Sequence, residues 1–121
     1  MEKKRILVVD DEVNQGLLYE QELTDEGYLV DVANSGERAL QMLKSKKYDL
    51  VILDIGMPTM DGLETLGKML SMDNKLPVIL NTAYPSYKDN FMSWAADAYV
   101  VKSSDLAELK EKIKKSLSGK F

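Results

Sequence analysis

Four short apolar runs, Ile6-Leu7-Val8-Val9, Leu50-Val51-Ile52-Leu53, Val78-Ile79-Leu80 and Tyr99-Val100-Val101, constrain the fold of this 121-residue chain more than any other feature. Each has strand length, and an apolar run without alternation suits a strand covered on both faces. A fifth, more alternating run covers Leu29 to Ala33. Between the runs lie segments of helical periodicity: Val13 to Glu26, Ser35 to Ser45, Gly62 to Met72, about Tyr87 to Ala95, and Asp105 to Leu117. Pro85, Asn90 and Ser93 dilute the pattern of the fourth. Strand and helix thus alternate five times, which predicts an α/β fold: a five-stranded parallel sheet with right-handed crossovers and five helices spread over both faces. Local signals mark the helix ends. Gly27 can take the left-handed conformation that stops the first helix, Ser35 can cap the second, and Asp105 with Glu108 three residues on resembles a capping box for the last.

Length favours one domain over residues 1–121, with a core from about 4 to 117 and a frayed end at Ser118 to Phe121. Hydrophobic residues at 45% and charged residues at 30% place the chain among ordinary globular proteins. No apolar run approaches the roughly 20 residues needed to span a bilayer. Met1-Glu2-Lys3-Lys4-Arg5 leads into a strand rather than a signal peptide, so a cytoplasmic location without membrane contact is expected. With neither cysteine nor histidine, any chemistry must use carboxylates, hydroxyls and lysines. A net charge of −4 gives no footprint for direct nucleic-acid binding. The one basic cluster, Lys110, Lys112, Lys114 and Lys115, lies among Leu106, Leu109, Ile113 and Leu117 at helical spacing, which is the pattern of a solvated helix face.

Open parallel sheets bind ligands beyond the carboxyl ends of their strands. The residues there are Asp10 and Asp11 after the first strand, Asp54 after the third, Thr82 after the fourth and Lys102 after the fifth. Each alone has an ordinary explanation as a cap, a turn or a surface residue. Three acids converging on one site, however, repel one another unless a cation joins them. An oxygen-only ligand set suits a hard ion, and Mg²⁺ binds through one or two carboxylates while keeping several waters. A carboxylate can also accept a phosphoryl group as an acyl phosphate. Lys102 and Mg²⁺ would then balance charge on the transferring oxygens, with Thr82 donating a hydrogen bond. The lifetime of such an acyl phosphate depends on water reaching it in line. Tyr84, two residues after Thr82, and Gly56, which offers no side chain to orient a water, are the residues expected to set it.

From about Lys4 to Leu117 these residues, in this order, resemble the bacterial two-component response-regulator receiver family, of the chemotaxis-regulator type. Val8-Val9-Asp10-Asp11-Glu12 is similar to its acidic pair, Asp54-Ile55-Gly56-Met57-Pro58-Thr59-Met60-Asp61-Gly62 to its phosphorylation loop, and Thr82-Ala83 and Tyr99-Val100-Val101-Lys102 to its remaining blocks. The resemblance implies a flavodoxin-like strand order 2-1-3-4-5. It also implies that Asp54 is the phosphoacceptor, that Asp11, Asp54 and the Gly56 carbonyl are direct Mg²⁺ ligands, and that Asp10 is a ligand through water. Thr82 and Tyr99 would form the switch. The implied partners are a sensor histidine kinase or histidine phosphotransfer protein as donor and a downstream protein or detached effector domain as target. The chain itself is expected to be a monomer or weak dimer, a signalling domain rather than an enzyme.

The sequence departs from the family where Ser103 replaces the usual proline after the site lysine, and where Phe91, Met92 and Trp94 stand in a region that carries small residues in many members. No attached effector domain is expected. Two rivals share parts of the pattern. A haloacid-dehalogenase-like phosphohydrolase would carry a second Asp where Gly56 stands, and a flavodoxin-like cofactor binder would not put Asp10-Asp11-Glu12 in its phosphate loop. A degenerate receiver acting only as a docking module would not retain all five site residues.

Overall fold

A computed structural model of the chain describes residues 3–54, 62–83 and 96–118. The elements run β1 (Arg5–Val9), α1 (Val13–Asp25), β2 (Leu29–Ala33), α2 (Gly36–Ser45), β3 (Leu50–Leu53), α3 (Gly62–Met72), β4 (Val78–Thr82), β5 (Ala98–Val101) and α4 (Ala107–Ser118). The five strands form one sheet in the order β2-β1-β3-β4-β5, and every pairing is parallel. Four helices lie among the described residues. The helix expected over Tyr87 to Ala95, with Phe91, Met92 and Trp94, lies outside them, as do Gly56 and Tyr84.

The continuous apolar runs have a simple origin. Successive strand residues point to opposite faces, and here both faces are covered. Leu7, Val9, Val51, Leu53 and Leu80 join a buried cluster with Leu66 and Met69 of α3 and Ala39 of α2. Their neighbours Ile6, Val8, Ile52, Ile79 and Val100 join a second cluster with Tyr19 and Leu23 of α1 and Leu109 and Ile113 of α4. Fully burying each such side chain contributes about 1.5–3 kcal/mol, so these strands are fixed chiefly by their two-sided cover.

The ends of the elements mostly follow the local signals. Gly27 has a φ of 99°, in the left-handed region, and terminates α1. The Ser35 hydroxyl accepts a hydrogen bond from the Arg38 backbone N–H at 3.1 Å, capping α2. The capping box expected at Asp105 is replaced by another arrangement. Asp105 Oδ1 accepts from the Ala107 N–H at 2.9 Å, while the Asp105 N–H donates to Ser103 Oγ at 3.1 Å rather than to Glu108. The helix therefore begins at Ala107 instead of Asp105.

α1 lies close to β2 because Gly16, buried in α1, has no side chain; a Cβ there would sit 2.9 Å from Val32 Cγ1. The lysines of α4 form a solvated face, with Lys110 paired to Glu22 of α1 at 3.0 Å and Lys115 to Glu111 at 3.0 Å. On β2, Asp31 Oδ2 accepts from the Tyr48 hydroxyl at 2.7 Å and faces Arg5 and Lys46. Burial opposes the Asp31 charge, but Tyr48, Lys46 and Arg5 outweigh it and hold the carboxyl below its ordinary range. No helix among the described residues is long and apolar enough to cross a membrane.

Candidate functional site

The sheet hydrogen bonding continues one residue past three strands, and this fixes the backbone of each charged group. The Asp10 N–H donates to the Ala33 carbonyl at 3.0 Å, the Asp54 N–H to the Val9 carbonyl at 3.0 Å, and the Lys102 N–H to the Thr82 carbonyl at 2.7 Å. Asp10, Asp54 and Lys102 thereby leave the carboxyl ends of β1, β3 and β5 side by side. Lys102 Nζ lies 2.8 Å from Asp10 Oδ2 and 3.2 Å from Asp54 Oδ2. Asp10 and Asp54 are 2% and 6% exposed, whereas Asp11 faces solvent, so the acidic pair is split between a buried and an open member.

One carboxylate oxygen from each of Asp10, Asp11 and Asp54 lies within 4.8 Å of the others. Three hard oxygen donors at that spacing, one of them open to solvent, fit a divalent cation of the Mg²⁺ kind. Burial pushes the Asp10 carboxyl up from its ordinary pKa, against the pull of the Lys102 ammonium and of the Glu12 N–H, which donates to Asp10 Oδ1 at 2.9 Å. Burial also works against the Lys102 charge, but the Asp10 and Asp54 carboxylates outweigh it and hold the ammonium firmly protonated. The site is thus a dense acidic cluster stabilised by one internal cation.

Thr82 is fully buried at the end of β4 and pairs in register with Val101, next to Lys102. Tyr99 pairs with Leu80 and is half-buried against the cluster that contains Leu7 and Leu53. The structure therefore brings together Asp10, Asp11, Asp54 and Lys102, with Thr82 on the adjoining strand; Gly56 and Tyr84 lie outside the described residues. No cis peptide bond occurs among the described residues, so the Lys102–Ser103 bond is trans, and the Ser103 hydroxyl serves the Asp105 turn.

Two polar residues beside the site escape sequence reasoning. Tyr19 of α1 and Asn81 of β4 are 2% and 3% exposed, and burial pushes the Tyr19 hydroxyl above its ordinary pKa. The only signal for them is the polar Asn81 in the strand Val78–Thr82; the Tyr19 ring reads simply as core.

The profile of the response regulator receiver domain matches residues 6–114. The chain belongs to this family. Receiver domains of known structure share its fold. The response regulator TrrA from Thermotoga maritima, solved in complex with Mg²⁺-BeF, is 53% identical with a TM-score of 0.91, covering 93% of this chain and 98% of that one. TrrA solved in complex with the histidine kinase ThkA gives 54% identity and a TM-score of 0.89, over 94% of this chain and 98% of that one. The response regulator ArlR of Staphylococcus epidermidis is 39% identical over 111 residues, which are 90% of this chain and 50% of ArlR. The receiver domain thus spans about half the length of that curated relative. As the receiver of a two-component response regulator it is a signalling module, and the phosphohydrolase and cofactor-binding alternatives are set aside.

Proposed function

We propose that this receiver takes a phosphoryl group onto Asp54 from a phosphohistidine of a sensor histidine kinase or phosphotransfer protein, and that residues 1–121 act as one receiver unit in the cytoplasm. The observation that carries the reading is the cluster of Asp10, Asp11 and Asp54 oxygens within 4.8 Å of one another, with Lys102 Nζ in contact with Asp10 and Asp54. The Mg²⁺-BeF complex and the kinase complex of TrrA support it.

Asp11, Asp54 and the Gly56 carbonyl would hold Mg²⁺ directly, and Asp10 through water. When bound, the ion supplies positive charge that offsets the repulsion between the carboxylates and the incoming phosphoryl oxygens. The chain's own residues do the rest. Lys102, already protonated and anchored by Asp10, would keep its ammonium on the Asp54 side chain and stabilise the phosphoryl oxygens as they arrive. The Asp54 carboxylate attacks phosphorus, the bond from phosphorus to the histidine nitrogen breaks, and the nitrogen keeps the electron pair, so donor and acceptor balance without further reagent.

Thr82 would then turn its hydroxyl toward the new phosphoryl group, and Tyr99, two residues back along the neighbouring strand, would move into the space this opens. That shift would change the face made by β5 and α4 for a downstream protein or detached effector domain. The domain promotes its own phosphorylation and dephosphorylation but turns over no other substrate. It is expected to be a monomer or weak dimer, without direct contact with nucleic acid or membrane. On the first turns of α1, just past the acidic pair, Val13 and Leu17 are 64% and 57% exposed, an apolar spot suited to a docking donor.

The test is exposure to acetyl phosphate with Mg²⁺, followed by intact mass and site mapping. One phosphoryl group on Asp54, lost in Asp54→Asn, is the expected result. Full modification of Asp54→Asn, or none of the wild type, would overturn the assignment.

A further inference from the structure

We propose that the cavity between the C-terminal ends of α2 and α3 is a binding site for a small aromatic monocarboxylate, with Lys47 and Lys75 holding the carboxylate. The cavity has a volume of about 530 Å³, the size of a small-molecule site. Asp49 and Pro77, the residues before β3 and β4, line it, so it lies at the amino edge of the sheet, opposite the edge that carries Asp54. Its walls are core side chains. Tyr48, Met69 and Leu76 are 8%, 0% and 7% exposed and belong to the cluster that includes Leu7 and Leu53, with Leu43 packed against it. Met72, the last residue of α3, lines the same cavity and is 43% exposed. Two methionines and a tyrosine ring favour an aromatic guest, because thioether sulfur makes favourable contacts with ring edges.

The charged groups around the cavity are unevenly engaged. Both acids are occupied by backbone donors: Asp49 Oδ2 accepts from the Arg5 N–H at 2.8 Å, and Asp73 Oδ1 from the Lys75 N–H at 3.0 Å. Of the three lysines, Lys46 faces Asp31 at 3.5 Å, whereas Lys47 and Lys75 form no ion pair among the described residues. Three ammoniums against two carboxylates leave one positive charge here, on a chain whose net charge is −4. That surplus matches a single negative charge, while a dianion such as phosphate would be opposed by Asp49 and Asp73. The Tyr48 hydroxyl is already spent on Asp31 Oδ2 at 2.7 Å, so Tyr48 offers a guest its ring rather than a donor. Lysines near helix C-termini also complement the helix dipole. α2 already carries Lys44 in its last turn in that role, and the dipole needs no cavity walled by core side chains.

The test titrates the full chain with naphthalene-2-carboxylate and follows methionine methyl and backbone amide chemical shifts. Naphthalene-2-methanol serves as the neutral counterpart and inorganic phosphate as an anion without a ring. The expected result is saturable binding of the carboxylate with a Kd of about 1 mM or below, seen at the Met69 and Met72 methyls and the Tyr48 and Leu76 amides. The alcohol binds at least about fivefold more weakly, and phosphate moves none of these signals. Lys47→Gln/Lys75→Gln, at two exposed positions, weakens the carboxylate about five- to tenfold with Tm unchanged. Mg²⁺ leaves the affinity unchanged, which separates this site from the acidic cluster. No saturable shift up to about 10 mM, equal binding of the alcohol, full affinity in the double variant, or loss of binding on adding Mg²⁺ would overturn the proposal. None of these outcomes depends on whether Asp54 accepts a phosphoryl group.

Discussion

Replacing Gly16 by alanine tests how the acidic loop is placed. The added Cβ would meet Val32 Cγ1 at 2.9 Å, against an ordinary carbon–carbon contact of about 3.5–4.0 Å. Either α1 retreats by roughly 0.6–1 Å or Val32 leaves its rotamer, and a β-branched side chain is stiff at χ1. Overpacking of this kind costs about 1–3 kcal/mol. Alanine in place of glycine in a helix returns about 1 kcal/mol through propensity, so the net loss centres near 1 kcal/mol. For a domain of this size that lowers Tm by roughly 3–6 °C. Because Asp10 and Asp11 lead into α1 through Glu12, a retreating helix also draws Asp11 away from its partners, and Mg²⁺ affinity should fall. Thermal unfolding and metal calorimetry read the two effects. The control is Val32→Ala: with the methyl removed, adding Gly16→Ala should raise stability by about 1 kcal/mol, since only the propensity gain remains. A Gly16→Ala protein as stable as the wild type would show that the helix does not rest on Val32 as described.

Three further outcomes follow from the site and its surroundings. Asp11→Ala should lower Mg²⁺ affinity at least about tenfold and abolish the thermal stabilisation that Mg²⁺ gives the wild type, about 2.7 kcal/mol at 100 times Kd, with the fold kept; unchanged affinity by calorimetry would place the ion elsewhere. Asp31, whose carboxyl is held below its ordinary value of 3.8, contributes stability that is present above that value and lost as pH falls through the lower folded one. Denaturant titrations of Asp31→Asn should therefore show about 1 kcal/mol less stability at pH 7 and a shallower acid dependence; parallel pH curves would refute the pairing. Tyr84→Ala should release inorganic phosphate from the phosphorylated protein several-fold faster than the wild type if the ring keeps water from the acyl phosphate, and equal rates would show that it shields nothing.

Legibility differed from residue to residue for physical reasons. β2 and β3 begin and end where the sequence places them, because their apolar runs stop sharply at polar neighbours. β4 runs on to Thr82, two residues past its apolar run, because Asn81 and Thr82 pair in register with Val100 and Val101 of β5. That pairing joins residues far apart in sequence and leaves no local pattern. Likewise, Asp10 and Asp11 are indistinguishable in the sequence, yet one is buried against Lys102 and the other open. The difference comes from strand alternation meeting the start of a helix. At α4 the sequence points to Asp105, but the Asp105 carboxylate is spent on the Ala107 N–H, and helical geometry starts after it. The Asp31–Tyr48 bond joins residues 17 apart and carries no motif at all.

The contacts of Lys102 reach 92 residues back to Asp10 and 48 back to Asp54. A chain still emerging from the ribosome, or one clipped before β5, carries the Asp10 and Asp54 carboxylates without the ammonium that contacts both. Such a fragment keeps the mutually repelling acids that follow β1 and β3 without their internal counter-charge. The charge balance at the carboxyl ends of β1 and β3 is thereby completed only when the last strand is in place. The wide sequence spacing of the three charged groups makes the electrostatics of this sheet edge depend on the whole length of chain from β1 to β5.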